Sequence, residues 1–146
     1  MKKSPFLIIV LLLASLMACE RLAILFHDNP DQPVTRAFTF GQPFELPFGK
    51  LARHETENVS ITFTRVLEDS RCPINVNCVW EGNAKLKFLL QHSFHLTHFS
   101  LNTTLEPKDT TIADYSVSLT DLLPYPHSDS TYTDADYTAI LIVNRK

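Results

Sequence analysis

Glycine is scarce in this chain: Gly41, Gly49 and Gly82 are the only three in 146 residues. A phosphate-cradling loop needs glycines in close succession, so that backbone N–H groups can reach the ligand. The nearest two here, Gly41 and Gly49, are eight residues apart. Nucleotide-binding loops are therefore excluded. The G-x-S-x-G elbow and the H-E-x-x-H zinc motif are absent as well, and the expectation is a protein that is not an enzyme and carries no cofactor. Basic charge is also short, with 13 Lys and Arg against 16 Asp and Glu. Nucleic acid rewards a basic face, so it is excluded as a partner. The three cysteines include no C-x-x-C pair, which argues against a redox dithiol or a zinc knuckle.

What is present begins with the N-terminus. Lys2 and Lys3 precede an apolar run from Phe6 to Leu13, followed by small residues. That order reads as a secretory signal. Leu16-Met17-Ala18-Cys19 resembles a bacterial lipobox, which implies a signal peptide over 1–18 and palmitate-type lipidation of Cys19. The run before Cys19 is shorter than the ~20 residues a membrane helix needs, and extending it crosses Glu20 and Arg21. Two rivals stay open: an ordinary secretory signal, and an uncleaved anchor. Residues 19–35 read as a tether, since Asp28-Asn29-Pro30-Asp31-Gln32-Pro33 sustains neither helix nor central strand. Loss of Lys2 and Lys3 would leave 11 basic against 16 acidic residues, or −5. The expected location is the bacterial cell envelope, facing periplasm or exterior, with the membrane engaged through Cys19.

From residue 36 to 146 the hydrophobic period is two. Phe38 and Phe40 alternate with polar or small neighbours, as do Phe44, Leu46 and Phe48. Val59, Ile61 and Phe63 repeat the pattern, then Leu86, Phe88 and Leu90, then Phe99 and Leu101. Tyr115, Val117 and Leu119 follow, and Tyr137 to Val143 is apolar on both faces except for Thr138. About seven strands with no amphipathic helix predict a single all-β domain over 36–146, an antiparallel β-sandwich (Ig-like) or a small barrel.

The least random stretch is Asp69-Ser70-Arg71-Cys72-Pro73-Ile74-Asn75-Val76-Asn77-Cys78-Val79-Trp80-Glu81-Gly82. With Cys19 lipidated, Cys72 and Cys78 are left as a pair in an oxidising compartment, which predicts a structural disulfide. Asp69 is expected to accept backbone N–H bonds at the turn, and Arg71 to pair with Asp69 or Glu68. Trp80 is expected over the disulfide, and Gly82 at a bend. A second reading treats Asp69, Arg71 and Trp80 as an exposed binding surface, because Arg and Trp dominate interface hot spots. The pattern Asp-Ser-Arg-Cys-Pro, four residues, Cys, one residue, Trp, one residue, Gly resembles a group of secreted or lipid-anchored bacterial domains of unassigned function. Leu122-Leu123-Pro124-Tyr125-Pro126 and Asp136-Tyr137 resemble the closing segments of that group. The resemblance implies an all-β extracytoplasmic domain and no activity.

Two weaker constellations remain. His92, His95 and His98 would place His92 and His98 on one face of a continuous strand and His95 on the other. A hairpin at 92–96 would allow some convergence on Zn²⁺ or Cu²⁺, an alternative function as a metal-binding envelope protein. The run from Asp129 to Asp136 is acidic but lacks the ligand order and glycine of a calcium loop, so a solvated loop is expected. The leading expectation is a lipid-anchored binding or structural module, its partner an unknown envelope protein or glycan. An enzyme of unrecognised type is the remaining alternative.

Overall fold

Period-two stretches build strands only when one face finds a core, and here two sheets supply it to each other. The computed structural model describes residues 34–146. The expected signal peptide, Cys19 and the tether up to residue 33 lie outside the described residues. Nine strands follow in order: β1 (Val34–Phe38), β2 (Pro43–Pro47), β3 (Leu51–His54), β4 (Val59–Asp69), β5 (Ala84–His92), β6 (His95–Asn102), β7 (Asp109–Ile112), β8 (Tyr115–Leu123) and β9 (Thr138–Arg145). One sheet has the order β1-β3-β4-β5-β6 and the other β2-β9-β8-β7. Their facing sides bury Leu46, Ile61, Phe63, Phe88, Leu122 and Leu141 completely. The fold is a β-sandwich of five and four strands, and no barrel closes among the described residues.

The expected strands are all present, and two more join them. β3 and β7 are four residues each, and neither carries a run of alternating large apolar residues. The first strand starts at Val34, two residues before the expected boundary. Every strand pairing is antiparallel except β1 with β3, which is parallel. Pro43 and Pro47 hold β2 at a sheet edge, where a missing N–H donor costs nothing.

Irregularities in β4 decide where the polar residues at its end point. Its register against β5 shifts between Phe63 and Arg65, and again between Val66 and Glu68. Each bulge adds a residue and resets the alternation. The residues opposite Phe88, Leu86 and Ala84 are consequently Phe63, Val66 and Asp69. Without the bulges, Arg65 and Leu67 would face inward.

The long β4–β5 connection and the short β5–β6 turn lie at opposite ends of the sandwich. Asp69 pairs with Ala84 at one end of the β4–β5 ladder, and Val59 with His92 at the other. These are called below the cysteine end and the histidine end.

Candidate functional site

At the cysteine end the ladder continues past the strands. The Ser70 N–H donates to the Asn83 carbonyl at 2.7 Å, and the Cys72 N–H to the Glu81 carbonyl at 2.8 Å. Between them the backbone approaches so closely that a Cβ on Gly82 would lie 1.9 Å from the Ser70 carbonyl oxygen. With a φ of +76° as well, only glycine fits position 82. Cys72 and Cys78 are joined as a disulfide, with Cα atoms 6.0 Å apart. The closed loop docks on the segment after β8: the Ile74 N–H donates to the Pro126 carbonyl at 3.0 Å, and Asn75 exchanges hydrogen bonds with Ser128.

Beneath the loop, Arg71 and Asp69 form a fork. Arg71 Nε donates to Asp69 Oδ1 at 2.9 Å and Nη2 to Oδ2 at 2.8 Å. The backbone N–H of Arg71 reaches Oδ1 at 3.2 Å, and the Tyr137 hydroxyl donates to Oδ2 at 3.0 Å. Nη1 donates to the Leu122 carbonyl, and Nη2 also to that of Pro124 at 2.8 Å. One guanidinium therefore ties the end of β4 to the end of β8 on the opposite sheet. Burial opposes ionisation of Asp69, but the Arg71 hydrogen bonds and charge, helped by Tyr137, win and lower its pKa. Burial raises Tyr137, and its bond to ionised Asp69 raises it further, to about 12.

The pairing of Asp69 with Arg71 follows the expectation from sequence, but its placement corrects the exposed binding surface. Arg71 is only 7% exposed, because its fork is consumed by the carboxylate and by two carbonyls, one in β8 and one just past its end. Trp80 is 56% exposed, and its exposed neighbours in the loop are Ile74, Val76 and Val79. Asp69, Arg71 and Trp80 thus do not form one surface. The pair is internal, and the tryptophan belongs to an apolar loop tip.

Beside the buried pair lies a cleft of about 180 Å³ that sequence reasoning missed. It is lined by Arg71, Cys72 and Glu81 from one connection and by Thr103, Thr104, Thr120, Asp121 and Tyr125 from other parts of the chain. The Tyr125 ring lies 5.2 Å from the Arg71 guanidinium carbon and is 46% exposed. Partial burial raises the Tyr125 pKa, and the nearby Asp121 carboxylate adds to the rise. In the sequence Tyr125 stands out only as part of Leu122-Leu123-Pro124-Tyr125-Pro126, and Glu81 and Asp121 are 40 positions apart.

The histidines do not assemble as one group. The turn Ser93–Phe94 pairs His92 with His95, whose ring centroids are 5.4 Å apart. His98 pairs with Leu89 instead and, three positions along β6 from His95, faces the other side of the sheet. Among the described residues no three or more His, Cys, Asp or Glu side chains are grouped to hold a metal ion. His54, not singled out from the sequence, stacks on Phe40 at 4.0 Å and accepts the Glu57 N–H at 3.2 Å. In the acidic run, Asp136 accepts the Thr133 N–H at 2.7 Å and closes a single 3₁₀ turn at Asp134–Asp136.

Comparison with known protein families, with characterised proteins and with solved structures gives no match for this chain.

Proposed function

We propose that the protein is a lipid-anchored, extracytoplasmic β-domain that works by binding at the bacterial envelope, with a glycan as the ligand class. The observation that carries the ligand is the cleft at Arg71, Glu81, Asp121 and Tyr125. Carboxylates and threonine hydroxyls can bond vicinal sugar hydroxyls, and a half-exposed tyrosine offers a face to a sugar ring. Arg71 lends rigidity there more than charge, since Asp69 already neutralises it. The anchor rests on the lipobox-like Leu16-Met17-Ala18-Cys19, and the resemblance of the 69–82 run to lipid-anchored or secreted domains agrees with it.

Binding of the purified chain to envelope glycan fractions tests the ligand. Retention on the glycan above a denatured control is expected, falling at least roughly tenfold in a double variant, Asp121→Asn with Tyr125→Ala, that removes two hydrogen-bonding or stacking groups. Equal retention of the two proteins would refute the cleft as the site. Replacing Cys19 by Ser should abolish palmitate labelling and release the protein to the soluble fraction; unchanged membrane retention would refute lipidation as the anchor.

A further inference from the structure

The cysteine loop exposes four large apolar side chains, Ile74, Val76, Val79 and Trp80, against two, Phe94 and Leu96, around the turn at the histidine end. Val79 is fully exposed, Ile74 is 68% exposed and Trp80 is 56% exposed. Four large apolar residues exposed within seven positions of one stapled loop, Ile74 to Trp80, make a candidate interaction surface. The run Cys72 to Gly82 carries one charge, Glu81, so no basic patch complements an acidic partner.

The direction of β1 says what this tip meets. β1 runs parallel to β3, with Val34 opposite Leu51, and Leu51 lies opposite Thr62 of β4. β4 then continues from Thr62 to Asp69 at the cysteine end. β1 therefore runs from the cysteine side toward the histidine end, where β9 also finishes, beside Tyr115. With its two bulges, Thr62 to Asp69 lies opposite only Leu89 to Ala84 of β5, a span of about 17 Å at the usual rise per residue. The length of chain between Cys19 and Val34 has a maximum extension of about 50 Å, longer than that span.

We propose that the Ile74–Trp80 tip is a lipid-seating surface, which lays the cysteine end of the domain on the membrane that holds its anchor. Trp80 and the aliphatic tip residues enter the headgroup–acyl boundary, where tryptophan is favoured and few charges need be buried. The occupant is a phospholipid surface, selected by apolar insertion and not by charge. This inference rests on the envelope reading above and goes beyond it, by assigning an orientation and a second contact.

The single tryptophan makes the test direct. The full-length protein is bound to phosphatidylcholine vesicles whose acyl chains carry bromine near the headgroup. Trp80 emission should shift to the blue and fall to roughly half, because a ring seated ~5–10 Å into the boundary lies close to the bromines. Phosphatidylglycerol vesicles should give the same quenching, and Val79→Asp should remove most of it with the circular dichroism unchanged. Emission that stays unshifted and unquenched on vesicle-bound protein overturns the proposal, as does dependence on anionic lipid. Mass spectrometry of the same sample separates this result from the anchor. Quenching of unlipidated protein on added vesicles upholds the tip and refutes the anchor, whereas lipidated, vesicle-bound protein without quenching refutes the tip alone.

Discussion

The two ends of strand β5 solve the same problem with different means. At the cysteine end the chain takes fourteen residues, Ser70 to Asn83, to connect β4 to β5. At the histidine end it takes two, Ser93 and Phe94, to reach β6. A long connection carries many backbone groups and much conformational entropy, and each must be fixed. Here they are fixed by a disulfide, a guanidinium fork, a glycine that nothing else can replace, and Asn83. The Asn83 amide donates to Asn102 at 3.0 Å, and its carbonyl oxygen accepts two backbone N–H groups, from Thr104 and Leu105. The short turn needs only one residue, Ser93, in the left-handed region at φ 51°. Concentration of rare residue types in one stretch therefore reports how much loop had to be held. It is a weaker guide to where ligands bind.

The contrast breaks most visibly at Arg71. Arg71→Leu would leave Asp69 and the Leu122 and Pro124 carbonyls without their partner, in a setting where removing one member of a buried pair costs ~3–5 kcal/mol. His95→Ala on the opposite end should stay within ~0.5 kcal/mol, as expected of an exposed strand position. Denaturant unfolding of both variants measures the difference. A loss under ~1 kcal/mol for Arg71→Leu would mean the fork does not hold the sheets together. The same cluster sets two pH limbs. The depressed Asp69 pKa stabilises the fold above the unfolded carboxylate value of about 4, and that contribution is lost as pH falls through the lower folded value. The raised Tyr137 pKa acts at the other side: its contribution is complete below the unfolded value of about 10 and disappears as pH rises to about 12. Tyr137→Phe should flatten the alkaline limb.

The disulfide ranks next. Replacing Cys72 and Cys78 by Ala reopens a loop of about seven residues, worth ~2 kcal/mol on the loop-entropy account. For a domain of this size the melting temperature should fall by several degrees. Ladder bonds at Ser70 and Cys72 and the docking of Asn75 on Ser128 should keep the loop in place, so glycan retention should change less than stability does. A binding loss larger than the stability loss would indicate that the loop conformation itself forms the site.

Legibility in the sequence follows the same division. Regular alternation makes β2, β5 and β8 readable, since each has one clear inward set, and β9 is readable as a run apolar on both faces. The run of β4 beyond Phe63 was not readable, because its two bulges change the inward step from two to three. Arg71 looked exposed for that reason: arginine prefers the surface, and nothing local announces that Leu122 and Pro124 will supply acceptors from the end of β8 and just past it. β3 and β7 escaped notice because edge or near-edge strands of four residues bury too little to leave a pattern. The cleft was hidden more completely, as it combines Glu81, Asp121 and Tyr125 through tertiary contact alone. The spacing of His92, His95 and His98 suggested more than it delivered, since a two-residue turn pairs the first two and puts the third on the other face.

The smallest effect belongs to the tight turn, and it has the opposite sign. Ser93 holds φ 51° without a special side-chain reason in the hydrogen bonding, its N–H donating to the Asn58 carbonyl at 3.0 Å. A left-handed conformation costs a non-glycine residue ~1–2 kcal/mol, and glycine avoids that cost while losing ~0.5–1 kcal/mol of chain entropy on folding. The balance favours Ser93→Gly by ~0.5 kcal/mol, raising the melting temperature by a degree or two. Gly82→Ala at the other end should do the reverse by a wide margin, because its Cβ would meet backbone that has no room to move. A stabilised Gly82→Ala protein, or a destabilised Ser93→Gly protein, would show that the two ends differ in length alone and not in how tightly each backbone is constrained.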